Sequence, residues 1–235
     1  MKFGAYGVRA VCGLLLVSSL PLGAATAAQI PPMGGEQVHY VINWPSGLNL
    51  GEANLSGTRS AAKLVMGFQL DASIPGFTVS DQFRSESSPE FCSASFDKHI
   101  HQGSRAANET TAFTSGGSAT RKTVNGGDST FSTASCARDA LTYLFFVRSE
   151  LSQGRLPPDE TVYFGAAYRI HLEFGGTEQI QVAGKAVEAD KLNATAQGDA
   201  SSIQFELYFL KDAGRTLAMV KVPFSMGTFS MVVDR

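Results

Sequence analysis

The chain has 235 residues, of which 43% are hydrophobic and 17% charged, and its formal net charge is −2. A chain so close to neutral lacks the excess of Lys and Arg that nonspecific nucleic-acid binding needs. No apolar run reaches the roughly 20 residues a membrane-spanning helix requires, so no such span is expected.

The N-terminus sets the compartment. Lys2 and Arg9 precede an apolar stretch from Val11 to Leu22, and the small residues Ala24-Ala25-Thr26-Ala27-Ala28 follow. Charged head, apolar middle and small-residue end are the three parts of a secretory signal peptide. Residues 1–28 read as that leader, with cleavage near Ala28, and 29–235 as a single β-rich domain, periplasmic or secreted. Cys12 lies inside the apolar run, too early to be the lipid-bearing residue of a lipoprotein. Losing Lys2 and Arg9 leaves 17 basic against 21 acidic side chains, a net charge of −4. Two cysteines remain, Cys92 and Cys136. In an oxidising compartment they pair most simply as a disulfide, two buried thiols being the alternative. The closed loop of about 45 residues is worth about 4 kcal/mol in the chain-entropy treatment.

Along the chain, Val38, Tyr40, Ile42 and Trp44 alternate with more polar residues, the period of a half-buried strand. Pro45-Ser46-Gly47 turns into a second strand over 48–58, where Gly51 marks a bulge or a close backbone approach. Leu64, Met66, Phe68 and Leu70 form a third. Pro75-Gly76 turns into Phe77, Val79, Asp81 and Phe83. Strands over 91–103 and 106–113 follow. The Gly/Ser/Thr-rich stretch near 114–135 reads as a mobile hairpin or loop around Asn125-Gly126-Gly127-Asp128.

The segment 139–153 breaks this rhythm. Leu141, Tyr143, Leu144, Phe145, Phe146 and Val147 crowd nearly every direction around a helix axis. Asp139 suits the N-cap, Gly154 the left-handed residue past the end, and Pro157-Pro158 prevents continuation. After it the two-residue period returns in Tyr168–Phe174. Gly175-Gly176 reads as a turn into Ile180 and Val182. Strands around Val187–Leu192, Ile203–Phe209, Leu217–Val222 and 226–233 complete the chain. About a dozen strands joined by short turns predict a mainly β fold. It is a single curved antiparallel meander, an incomplete barrel or sandwich-like sheet, with one buried α-helix near 139–153 plugging its concave face.

No G-x-S-x-G, phosphate loop or H-E-x-x-H occurs, so no catalytic residue, cofactor or metal is assigned and a non-enzymatic role is expected. Two constellations remain. Asp97, His99 and His101 share one face of a strand, which places both imidazoles within reach of one metal ion. They would serve the alternative function, an envelope-glycan hydrolase or metal-dependent enzyme. Otherwise they are a solvated strand face. Arg138, Arg148 and Glu150 cluster around the helix and are candidates for binding a ligand at the mouth of the sheet. Otherwise they cap the helix and pin it.

Four stretches carry a family resemblance. "DALTYLFFVRSELSQG" resembles the D-x-L/S-x-x-x-Y/F-x-x-R…G signature of an uncharacterised family of bacterial exported proteins, domain of unknown function 3108. "VHYVINWPSGLNLGEANLSG", "GGTEQIQVAGKAVEADKL" and "FELYFLKDAGRTLAMVKV" resemble, in order, its opening strands, a central hairpin and a late strand. One departure is Tyr208-Phe209, where many members have a tryptophan. The resemblance implies an exported, curved antiparallel protein with no known activity. The expected function is thus a non-catalytic envelope protein. It binds an apolar or amphipathic, lipid-like ligand or an assembly partner, and neither spans a membrane nor binds nucleic acid.

Overall fold

The computed structural model describes residues 35–74, 76–124, 126–224 and 227–234. The leader expected at 1–28 and its cleavage site lie outside them. The first half of the chain forms β1 (Glu36–Asn43), β2 (Asn49–Arg59), β3 (Leu64–Ile74), β4 (Phe77–Ser87), β5 (Ser93–Gln102), β6 (Arg105–Thr114), β7 (Ser118–Thr123) and β8 (Gly127–Ser132). A two-residue strand β9 (Arg138–Asp139) leads into helix α1 (Ala140–Ser152). The second half forms β10 (Glu160–Tyr163), β11 (Ala167–Val182), β12 (Lys185–Gln197), β13 (Ser202–Leu210), β14 (Leu217–Phe224) and β15 (Gly227–Val233).

All fifteen strands belong to one sheet, in the order β8 through β1, then β15 through β9. The chain starts at the middle of the sheet and steps outward to the β8 edge. It then crosses to the opposite edge, enters the helix, and steps back until β15 lies against β1. Every pairing is antiparallel except β9 with β10. Residues 114–135, read as a hairpin or loop, supply the β7–β8 hairpin. Gly175-Gly176 is not a turn: β11 runs through it on a bulge between Phe174 and Gly176, paired with β12 on both sides. A glycine pair gives a turn signal, but here the strand pattern on either side prevails. β9 and β10 are too short to show a period.

The sheet is rolled but not closed, because accumulated twist carries its two edges toward each other. They meet through side chains. Tyr163 of β10 packs its ring against Phe113 and Phe131 at 5.7 and 5.6 Å. Phe164 in the following turn meets Phe83 at 5.0 Å and Phe96 at 5.8 Å. Arg121 of β7 donates to the carbonyl of Gly165. The disulfide Cys92–Cys136 fastens the crossing segment to the start of β5, where the Ser93 amide also bonds the Ala137 carbonyl at 2.9 Å.

The helix lies inside the roll. It is apolar around most of its circumference, so it needs neighbours on all sides. Leu141 and Phe145 join a core built on β1–β5, while Tyr143, Val147 and Leu151 join one built on β10–β14. Two glycines permit close approaches, one between strands and one against the helix. At Gly51, beside the register shift at Ile42/Asn43, a side chain would run into the backbone of Asp71. At Gly57 a Cβ would stand 2.9 Å from the Phe145 ring. The helix ends as its sequence requires, with Gly154 in the left-handed region (φ 71°) and its amide on the Leu151 carbonyl.

The disulfide closes a loop of 44 residues in sequence separation. Replacing both cysteines by serine is therefore expected to lower stability by about 3–4 kcal/mol, read from urea-unfolding midpoints. A loss under about 1 kcal/mol would mean that the remaining contacts already constrain that loop in the unfolded chain.

Candidate functional site

The helix enters the roll at Asp139, which is fully buried. One carboxylate oxygen accepts from the amides of Leu141 (2.9 Å) and Thr142 (3.0 Å). The other accepts from the hydroxyls of Ser85 (2.6 Å), Ser93 (2.6 Å) and Thr142 (2.8 Å). Burial pushes this carboxyl's pKa up, while the bonds from Ser85, Ser93 and Thr142 pull it down. Ser85 lies on β4 and Ser93 on β5, so the cap ties the helix to both strands at once. The N-cap role was legible in the sequence. The three hydroxyls were not, since a serine facing inward on a strand looks like any other serine.

Farther along the helix, Arg148 is 2% exposed. It meets Glu36 at 2.7 Å and donates to the carbonyls of Gly214 and Arg215. This candidate for the mouth of the sheet is thus a buried cation, whose partner lies 112 residues away. The other two candidates sit elsewhere. Arg138 pairs with Glu160 at 2.6 Å and covers the Phe146 ring at 3.8 Å. Glu150 pairs with Arg155 at 2.8 Å. Arg138, Arg148 and Glu150 therefore form three separate ion pairs and do not converge on one point.

Asp97, His99 and His101 share a face, as the strand period requires, and it is the face turned away from the helix. Asp97 accepts from Thr110 at 2.8 Å, and the His99 imidazole bonds Asn108 at 3.0 Å. Both histidines are exposed. Among the described residues no three His, Cys, Asp or Glu side chains come together as a metal site.

What does converge is apolar. Between α1 and the inner face of the sheet lies a cavity of about 290 Å³. The helix contributes Leu141, Tyr143, Leu144 and Val147. The sheet contributes Phe68 and Phe83 on one side and Phe205, Leu207, Val220 and Met231 on the other, with Phe164 from the turn after β10. Several of these, including Phe68, Leu144, Phe205 and Met231, are only half-buried, so the helix does not fill the whole concavity. Larger depressions lie on the outer face, over β11–β15 (about 1030 Å³) and over β1–β5 (about 460 Å³). Their walls include charged and amide side chains, such as Glu173, Glu206 and Lys221 over the first and Gln37, Arg84 and Asp97 over the second. Some are already bonded to one another, as Glu173 is to His171 at 3.2 Å. The inner cavity is the site that burial of a ligand would favour, because apolar area removed from water drives binding.

These features define a class: a rolled, incompletely closed antiparallel sheet around one helix, with an apolar space between them. The chain belongs to the family described as protein of unknown function (DUF3108), which matches residues 37–234. A β-barrel-like protein of the domain of unknown function DUF1849 from Brucella abortus has a similar fold. It is 8% identical, with a TM-score of 0.61 over 85% of this chain and 95% of that one. An exported protein with a YmcC-like fold from Bacteroides fragilis is similar at 10% identity and a TM-score of 0.39, over 88% and 97% of the two chains. The lipoprotein LppX of Mycobacterium tuberculosis gives 12% identity and a TM-score of 0.27, over 85% of each chain. The first likeness establishes the fold alone, and the other two are too loose to carry an argument. No curated protein matches the chain. No helix among the described residues is long and apolar enough to cross a membrane.

Replacing Asp139 by alanine removes the cap, worth about 1–2 kcal/mol, and strands buried hydroxyls, at about 1–3 kcal/mol. A combined loss of about 3 kcal/mol is expected in urea unfolding, and a loss below about 1 kcal/mol would show that the helix is held by packing alone.

Proposed function

We propose that the protein is a non-catalytic, exported binding protein that holds an apolar or amphipathic small molecule between α1 and the inner face of the sheet. The observation that carries this reading is the half-enclosed apolar cavity of about 290 Å³ beside Leu144. It lies near the lower end of the roughly 300–1,000 Å³ usual for small-ligand sites. A core packed only for stability leaves few voids larger than a water molecule. A space this size, walled by half-buried aromatic and aliphatic side chains, is available to a guest. The two ion pairs Arg138–Glu160 and Arg148–Glu36 hold the ends of the helix in this reading and do not touch the guest. The leader read at 1–28 supports an extracytoplasmic setting.

The test is organic extraction of the purified full chain followed by mass spectrometry. The expected result is an apolar compound enriched with the protein and lost in a Leu144→Trp variant, whose indole fills the space. Extracts of the two proteins that do not differ would overturn the reading.

A further inference from the structure

The two ends of the roll differ. The helix is anchored at one of them: Asp139 is held by Ser85 near the end of β4 and Ser93 at the start of β5, and Arg148 meets Glu36 at the start of β1 and the turn after β13. Antiparallel pairing puts the β1–β2, β3–β4, β7–β8, β12–β13 and β14–β15 turns at the opposite end. Seven large apolar side chains are exposed among the described residues. Five of them stand at or beside those turns: Leu48, Phe77, Val124, Ile203 and Phe224, each between 44% and 64% exposed. The hairpin turns at the helix end carry none. Charge is distributed the other way. The hairpin turns at the helix end bear Lys63, Glu90, Lys211, Asp212 and Arg215, while the described residues of the opposite turns bear only Asp199.

The exposed side chains are continuous with the inner face. Side chains two apart on a strand share a face. Phe224 thus shares one with Val220, and Ile203 with Phe205 and Leu207, and Val220, Phe205 and Leu207 line the cavity. Trp44 meets Phe229 at 4.7 Å, and Phe229 meets Phe224 at 5.2 Å, so ring contacts carry the apolar lining out to the rim.

We propose that this end of the roll is a bilayer-docking surface, which inserts Leu48, Phe77, Ile203 and Phe224 into the interfacial layer of a membrane whose headgroups carry no net charge. This goes beyond the reading of the cavity and does not require a guest. Exposed apolar side chains gathered on one side of a protein mark an interaction site. Charge and spread choose the occupant. Moving charge out of water is costly, and these turns have almost none to move. They also lack the basic side chains that attract anionic headgroups. A protein partner would call for one contiguous, well-packed centre. Here the apolar side chains stand on five separate turns around the rim, which a fluid surface meets all at once.

Trp44, the one tryptophan in the sequence, sits at this rim and reports docking directly. The exported chain is mixed with phosphatidylcholine vesicles, plain or brominated on the acyl chains, and floated on a density gradient. The native protein should float, and bromine should quench the Trp44 fluorescence, a reading that needs no variant to fold. Leu48→Ser combined with Phe224→Ser should weaken partition about a hundredfold, roughly tenfold for each side chain no longer withdrawn from water. Leu156→Ser, which alters an exposed apolar residue in the connection leaving the helix, should float as the native protein does. Phosphatidylglycerol in the vesicles should change partition by less than about twofold. Native protein that stays at the bottom of the gradient, equal flotation of the rim variant, unquenched Trp44, or strong dependence on phosphatidylglycerol would each overturn the proposal. So would a dimer in sedimentation that the rim variant breaks, with no flotation, since that would make this end a face for a second copy. All of these outcomes leave the cavity reading to its own extraction test.

Discussion

The architecture hangs on one carboxylate held away from water. Asp139 ends β9, begins α1, and gathers hydroxyls from β4, β5 and the helix itself. A charge or acid in that position is tolerable only because donors surround it. Those donors come from two different strands, so the cap holds the helix start against both. The cap therefore fixes the point at which the helix enters the roll and the strands it lies beside. The space left unfilled follows from that placement. The Cys92–Cys136 bond, three residues upstream, fastens the same entry covalently.

Much of this was readable from the chain. The two-residue period of Val38–Trp44 or Leu64–Leu70 reports which face of a strand is buried, and those faces are inward as expected. The helix was legible from its crowding and its end signals, Asp139 and Gly154. The interruptions were less so. Gly175-Gly176 carries the same local signal whether it turns a chain or bulges a strand, and only pairing with β12 decides. The seam is also absent from local pattern: nothing near Tyr163 announces that Phe113 and Phe131 will meet it.

The candidate site shows the same division. Arg138, Arg148 and Glu150 stood out because charge beside an apolar helix is unusual, and the structure gives each its own counter-charge. His99 and His101 stood out because paired imidazoles are rare, and they lie on the outer face. The residues that shape the cavity, such as Phe205 and Met231, lie on strands the sequence predicts, yet nothing in it singles them out. Which of them the helix leaves uncovered depends on where its axis lies, a three-dimensional fact. Membership of a family of unknown function and likeness to a β-barrel-like protein settle the fold and not the role, since one fold serves many functions.

The pairing of β1 with β15 at the centre of the sheet has a kinetic meaning. Tyr40 lies opposite Val233, so the seam that unites the two halves joins the most distant described parts of the chain. Contacts of such sequence separation form late and slowly, because a large loop must close before they are rewarded. Until its final strand is in place, the chain has two unfinished half-sheets, and β1 has only β2 beside it.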